Sequence, residues 1–187
     1  MSNSHKITIN AFSANSIKQA QYQLMKYKAE LLEKCKLFVE ELAKVGVMVG
    51  EQNTGAFGKY ITFKVDVDPI KYGYKAVLVA SNTGLIKSEW VINSSGDTKT
   101  ADVSPILMAE FGSGLKADDA YGKRQSPQMG TGEFPGQTHA KDPNGWYYQT
   151  TDGVWHHSYG VEPTYPMMNA SIAMTEMIGF VAKSVFG

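Results

Sequence analysis

The feature that most constrains this chain is a single amphipathic period running through residues 16–45. Apolar or semi-apolar side chains recur there in steps of three and four, at Ile17, Ala20, Leu24, Tyr27, Leu31, Cys35, Phe38, Leu42 and Val45. This spacing predicts one face of an α-helix that starts near the cap residues at 13–16 and stops at Gly46 or Gly50. Such a helix spans about 45 Å, so it either crosses a whole sheet or extends toward a neighbouring subunit.

The segment after the helix predicts short antiparallel strands. Residues 60–67 alternate apolar and polar side chains, and residues 74–80 and 86–93 are two further strand candidates. Turn residues separate the three runs, which is typical of an antiparallel meander, and residues 94–100 indicate a polar turn.

Two more helices follow in the sequence. Asp102 or Ser104 can cap a short helix with Pro105 at its first position, and Gly112 and Gly114 would end it. A last helix, from residue 167 to about residue 185, has a broad apolar face and almost no charge, so we expect it to be mostly buried or covered by another chain.

The predicted fold class is therefore α+β, with the long N-terminal helix and the C-terminal helix packed on a small antiparallel sheet of about four to six strands. We expect residues 1–14 to form an N-terminal arm and residues 15–187 a single domain. An extended loop and hairpin insertion would occupy residues 112–160 of that domain.

The insertion is rich in glycine and in large aromatic residues. Its glycines account for nine of the eighteen in the chain, and its aromatic residues include Phe134, Trp146, Tyr147, Tyr148 and Trp155. Residues 147–150 and 154–158 predict a hairpin. The aromatic side chains exceed what one loop can bury against itself. They indicate a satellite core, an assembly surface or, less well supported, a base-stacking or sugar-binding platform.

Composition argues against several classes of function. The 18 basic and 18 acidic side chains cancel, and Arg124 is the single arginine, which disfavours a protein that binds duplex nucleic acid. Cys35 is the single cysteine and lies on the apolar stripe, so we expect a buried small side chain and no internal disulfide. No window approaches the ~18 apolar residues of a membrane span, and no secretory signal is evident, which predicts a cytoplasm-like compartment.

Catalytic motifs are weak throughout the chain. His139, Asp142 and one of the adjacent pair His156 and His157 could together make a zinc site, but neighbouring strand residues point to opposite faces. The glycine pairs around Ser113 and Thr131 lack the strand-to-helix setting of phosphate loops, and no G-x-S-x-G elbow occurs. The sequence thus predicts no catalytic residue, no metal and no cofactor.

The second half of the chain resembles a known family. The resemblance rests on Ala109-Glu110-Phe111-Gly112-Ser113-Gly114, on the Gly-Trp-Tyr-Tyr segment at 145–148, and on the Pro-Thr-Tyr-Pro-Met-Met-Asn-Ala segment at 163–170. In this order the motifs resemble the neck, or head–tail joining, proteins of long-tailed bacteriophages, also described as minor capsid or tail-completion proteins. Members combine an amphipathic N-terminal helix, a small antiparallel sheet, and a late proline-aromatic element that opens the C-terminal helix.

The resemblance implies a structural virion protein and no enzyme. The expected role is a subunit of a connector ring of about six or twelve copies between the capsid portal region and the tail, assembled in the bacterial host cytoplasm. Its partners would be further copies of itself and other connector, portal-adaptor and tail-tube or terminator proteins, with no membrane, and DNA only as passing channel content. The alternatives are a tail-terminator subunit and a zinc-dependent cell-wall hydrolase. The subunit-interface candidates are Glu110, Phe111, Gly112, Phe134, Trp146, Tyr147, Tyr148, Trp155, Pro163, Tyr165, Pro166 and Met167.

Overall fold

The structure is a computed structural model, and it confirms the α+β class. It describes Ile7, Ile9 and residues 13–84, 86–91, 97–116, 143–149 and 154–187. The helices are α1 (Ala14–Gln52), α2 (Pro105–Phe111) and α3 (Pro166–Phe186), and a short 3₁₀ helix covers Gly55–Tyr60. The strands are β1 (Ile61–Ile70), β2 (Gly73–Asn82), β3 (Ile86–Val91), β4 (Thr98–Val103), β5 (Ser113–Gly114), β6 (Trp146–Gln149), β7 (Trp155–Ser158) and β8 (Gly160–Val161).

Helix α1 is longer than the sequence predicts. Ser13 caps it, because its hydroxyl accepts a hydrogen bond from the Ser16 N–H at 3.4 Å. The predicted stop at Gly46 or Gly50 is wrong, since the helix continues through both glycines to Gln52. Both glycines are buried, and the packing of other elements against them outweighs the weak helix propensity of glycine. Their role is close packing and not helix termination.

Within the described residues, the strands form four separate antiparallel pairs and not the predicted single sheet. The pairs are β1 with β2, β3 with β4, β5 with β8, and β6 with β7. The predicted three-stranded meander is wrong, because β3 pairs with β4 and not with β2. Residues 98–100, predicted as part of a polar turn, begin β4, where Thr98 pairs with Val91. Thr98 and Thr100 are β-branched and favour a strand, so a polar segment can pair with β3.

The β1–β2 hairpin packs one face on α1. Phe63, Val65 and Leu78 on the inward face are half-buried, whereas Lys64 and Val79, paired with each other on the outward face, are exposed. This alternation confirms the predicted period of two. The hairpin thus supplies the surface on which the second half of α1 rests.

Helices α2 and α3 complete the fold. Ser104 caps α2 by accepting from the Leu107 N–H at 3.4 Å, and Pro105 is its first residue, as predicted. Helix α3 packs along α1. It is not mostly buried within the single chain, and the predicted alternative, that another chain covers it, stays a prediction. Its buried residues are Pro166, Ala170 and Val181, whereas Ile172, Ile178 and Phe180 are exposed in the single chain.

Candidate functional site: a capped junction and an uncovered apolar surface

Two of the three segments on which the resemblance rests, residues 109–114 and 163–170, meet in the fold. Ser113 of β5 pairs with Val161 of β8, and the Ser113 hydroxyl accepts a hydrogen bond from the Val161 N–H at 3.1 Å. One turn earlier, the Ala109 carbonyl accepts from the N–H groups of Thr164 at 2.8 Å and Tyr165 at 3.1 Å. These bonds join the C-terminal end of α2 to the chain that leads into α3. We call this contact the capped junction (residues 109–114 and 160–169).

Glu110 is the centre of the capped junction. Its side chain is buried, at 5% exposure, and its two carboxylate oxygens accept from the Met167 N–H at 2.8 Å and the Met168 N–H at 3.0 Å. The first turn of a helix leaves N–H groups without intrahelical partners and carries the positive end of the helix dipole. The N-cap residue Tyr165 makes no capping bond with its own side chain. Glu110 therefore caps α3 from another element.

The backbone of the capped junction has a positive φ at Gly112 and at Tyr165. Tyr165 has the left-handed conformation, with φ 54° and ψ 51°. Gly112 has a φ of +69°, and a Cβ built on it would lie 2.5 Å from the Val161 carbonyl oxygen and 2.8 Å from Pro163 Cδ. Because both neighbours are held by the chain, no larger residue fits at position 112 without moving the backbone.

An amide pair ties the capped junction to the end of α1. Asn169 donates from Nδ2 to Asn53 Oδ1 at 3.0 Å and to the Thr164 carbonyl at 3.1 Å. Asn53, the residue after α1, donates in turn to the Val49 carbonyl at 2.8 Å. This pair could not be singled out from the sequence, because isolated asparagines 116 positions apart give no local signal.

The predicted interface residues fall into three groups. Glu110, Phe111, Gly112 and Pro166 are buried within the fold, and Pro163, Tyr165 and Met167 are half-buried around them. Trp155 is 61% exposed on β7, opposite Gln149 of β6. Trp146, Tyr147 and Tyr148 lie on β6, which confirms the predicted hairpin, and Phe134 lies outside the described residues. The motif residues are thus placed to shape the elements, whereas Trp155 is exposed in the single chain.

The adjacent histidines of β7 have structural contacts. The His157 Nε2 lies 2.7 Å from the Asn144 carbonyl oxygen, and its ring meets Tyr159 edge-on, with 4.5 Å between centroids. Within the described residues, no three His, Cys, Asp or Glu side chains are grouped so that they could hold a metal ion. His139 and Asp142, the other members of the predicted zinc alternative, lie outside the described residues.

Helix α1 leaves a run of apolar side chains uncovered in the single chain. Every residue from 21 to 31 is exposed, and we call this stretch the uncovered segment. Tyr22 is 70% and Met25 71% exposed, and Leu24 is also exposed. Farther along the predicted stripe that contains Leu24, Cys35 is half-buried rather than buried as predicted, and Phe38 is half-buried too. The stripe therefore has two parts. The part within the uncovered segment is exposed in the single chain, and the part from Cys35 onward packs against other elements of the chain.

Exposed ion pairs mark the polar surface of α1 and of the β1–β2 hairpin. The Lys44 ammonium donates to the Glu41 carboxylate at 2.6 Å, and Lys64 pairs with Asp66 at 2.6 Å. In each case the hydrogen bond to the carboxylate, followed by its charge, raises the pKa of the lysine above 10.5.

Within the described residues, no helix is both long enough and apolar enough to span a membrane. Comparison with known proteins found no family model that matches the chain, and no significant match among curated proteins or solved structures.

Proposed function

We propose that this protein is a structural subunit of the connector ring that joins the capsid portal region to the tail in a long-tailed bacteriophage. It would assemble with further copies of itself in the bacterial host cytoplasm and remain in the neck of the virion. Neighbouring connector, portal-adaptor and tail-tube or terminator proteins would be its other partners.

The observation that carries the proposal is the uncovered segment of α1. A monomeric soluble protein rarely leaves a contiguous apolar surface open, and large exposed apolar patches mark protein–protein contacts. Leu24, Tyr27 and Leu31, spaced three and four residues apart on one face of α1, are exposed and form such a surface. Phe180 of α3, 68% exposed, adds to the apolar area of the same chain. A subunit that functions inside a ring buries such side chains against its neighbours.

The capped junction supports the proposal in a second way. Two of the three motifs that resemble phage neck proteins are distant in sequence, yet Glu110 of one and Met167 of the other are hydrogen-bonded in the fold. A shared structural role for the two motifs gives a physical reason for finding both in one chain. The junction fixes where α3 begins, and thereby where its exposed face lies relative to α1.

The absence of net charge suits a protein that contacts other proteins more than nucleic acid. Counterion release from clustered Lys and Arg is the main source of affinity for duplex DNA. DNA would then pass through the ring channel without a dedicated site on this chain.

Electron microscopy of lysates tests the proposal. In a phage or prophage from which this gene is deleted, we expect DNA-filled heads beside finished, unattached tails, and joined particles after the wild-type gene is supplied in trans. Normally joined particles would contradict the connector role. If those particles failed to penetrate or lyse cells, a cell-wall hydrolase would become the better explanation, and stoichiometric zinc in the purified protein would support it.

A further inference from the structure

The structure contains an apolar groove formed by three elements. Val39 and Leu42 of α1, Leu78 of β2, and Met174 and Ile178 of α3 line it. Its volume is about 260 Å³. Small-molecule sites usually enclose about 300–1,000 Å³ and carry a few converging polar groups. This groove is smaller and mostly apolar, so it is better suited to one or two side chains of a protein than to a metabolite.

The same chain carries apolar side chains that its own fold leaves uncovered. Leu24 lies 18 residues before Leu42 on α1, which places the two about 27 Å apart along the helix axis. The uncovered segment cannot reach the groove of its own chain, because both are parts of one continuous helix. It can reach the groove of a second copy.

The distribution of charged side chains along α1 indicates which arrangement of two copies is electrostatically favourable. Residues 14–29 contain Lys18, Lys26 and Lys28 and no carboxylate, a net charge of +3, whereas residues 30–52 contain five glutamates and three lysines, a net charge of −2. The helix dipole does not account for this order, since it favours acidic residues at the start and basic residues at the end. The first turn of α1 has no acidic residue and the last turn no basic one.

We infer that the uncovered segment of one copy inserts Leu24 and its neighbours into the α1–β2–α3 groove of the next copy. The basic residues 14–29 of one α1 then lie against the net acidic residues 30–52 of the next, where Glu40 and Glu41 border Val39 and Leu42. The contact joins two different surfaces, so it is heterologous and closes into a ring when the rotation per copy permits. The inference rests on the proposed function, for which it names the contact between ring subunits.

Disulfide cross-linking tests the contact directly. Two single-cysteine variants are made in a Cys35→Ser background, a tagged Leu24→Cys chain and an untagged Ile178→Cys chain, and are co-expressed and oxidised. Each chain carries one cysteine, so every disulfide joins two chains. A bond forms only where the Cα atoms come within about 7 Å. We expect the mixed Leu24→Cys/Ile178→Cys dimer to predominate over either homodimer.

A matched control uses Tyr72→Cys, in the exposed β1–β2 turn, in place of Ile178→Cys. Cross-linking of Leu24→Cys to Tyr72→Cys at the same yield would overturn the inference, as would a predominant Leu24→Cys homodimer, which indicates a two-fold contact between uncovered segments. Absence of any cross-link, with unfolding temperatures equal to that of the wild type, would also overturn it.

Charge reversal gives an independent test. Lys18→Glu together with Lys28→Glu should weaken self-association about tenfold at low salt, and Glu40→Lys with Glu41→Lys in the partner copy should restore it. If the lysine-to-glutamate variant weakens self-association and the glutamate-to-lysine partner does not restore it, the inference is overturned. The proposed function can fail separately: cross-linking in a phage whose deletion mutant still joins heads to tails would preserve the contact and exclude the connector role. Separated heads and tails without the cross-link would preserve the connector role and exclude the contact.

Discussion

Glu110 and Met167 lie 57 positions apart in the chain, and a hydrogen bond of 2.8 Å joins the Glu110 carboxylate to the Met167 N–H. A second bond, to the Met168 N–H at 3.0 Å, makes Glu110 the cap of a helix in which it does not lie. Through this cap, the short helix α2 sets the start and direction of α3.

Removing the carboxylate should therefore destabilise the fold. Glu110→Gln keeps the size of the side chain but replaces one acceptor oxygen with an NH₂ group that faces a helix N–H. We expect the free energy of unfolding to fall by about 1–3 kcal/mol, since a buried donor loses a charged acceptor. Chemical denaturation followed by far-UV circular dichroism measures the change.

Glu162→Gln is the matched control for Glu110→Gln. Glu162 is exposed and pairs with Lys116 at 3.2 Å on the surface, so we expect a change within about 0.5 kcal/mol. Equal effects of the two substitutions would show that Glu110 contributes no more than a surface carboxylate.

The two buried glycines of α1 should respond differently to alanine. A Cβ on Gly50 would lie 2.5 Å from the edge of the Phe63 ring, and a Cβ on Gly46 would meet Met174 Sδ at 2.7 Å and the end of the Leu78 side chain at 2.9 Å. Alanine contributes about 1 kcal/mol in helix propensity at either position, whereas overpacking costs about 1–3 kcal/mol.

Because the Met174 side chain can bend away and the Phe63 ring cannot, Gly46→Ala should change stability by less than about 1 kcal/mol, and Gly50→Ala should be the more destabilising. Thermal unfolding of the two variants and the wild type decides the order. A higher unfolding temperature for Gly50→Ala than for Gly46→Ala would contradict the packing argument.

The Lys64–Asp66 pair predicts a pH dependence at the alkaline end. The hydrogen bond and charge of Asp66 raise the pKa of Lys64 above 10.5 in the folded state. Because the pKa is raised on folding, the contribution of the pair to stability is fully present when the pH is below the ordinary lysine pKa of 10.5. It is lost as the pH rises through the folded-state pKa.

An NMR titration of the Lys64 ammonium group measures this shift. In Asp66→Asn, we expect the Lys64 pKa to move back toward its ordinary value. The Lys44 pKa, raised by Glu41, should stay where it is and serves as the internal control. An unchanged Lys64 pKa in the variant would remove Asp66 as the cause.

The exposed tryptophan of β7 should matter for assembly and little for folding. Trp155 is 61% exposed, so Trp155→Ala should change the free energy of unfolding by about 0.5 kcal/mol or less. If it is an interface anchor, its removal should weaken docking by tenfold or more, since such anchors contribute about 2 kcal/mol.

Trp146 of β6 is predicted to behave in the same way, with Trp146→Ala weakening docking more than folding. Incorporation of each variant into particles, measured beside its thermal unfolding, separates the two effects. Parallel losses of unfolding temperature and of docking would make either residue an ordinary core side chain.

What the sequence determined by itself is local. The stripe of α1, the Ser104 and Pro105 start of α2, the period of two in β1 and the β6–β7 hairpin all depend on contacts between near neighbours, which short-range spacing encodes. The tertiary structure decided what depends on distant contacts. Gly46 and Gly50 indicate helix ends in the sequence, but the packing of Met174, Leu78 and Phe63 against them keeps the helix intact. The described strands form four pairs instead of the predicted single sheet, because the register and partner of a strand depend on which surfaces meet in the fold. Likewise, the sequence shows Glu110 only as the carboxylate of a short motif. Glu110 becomes a helix cap because α3, 57 positions later, packs against it in the fold.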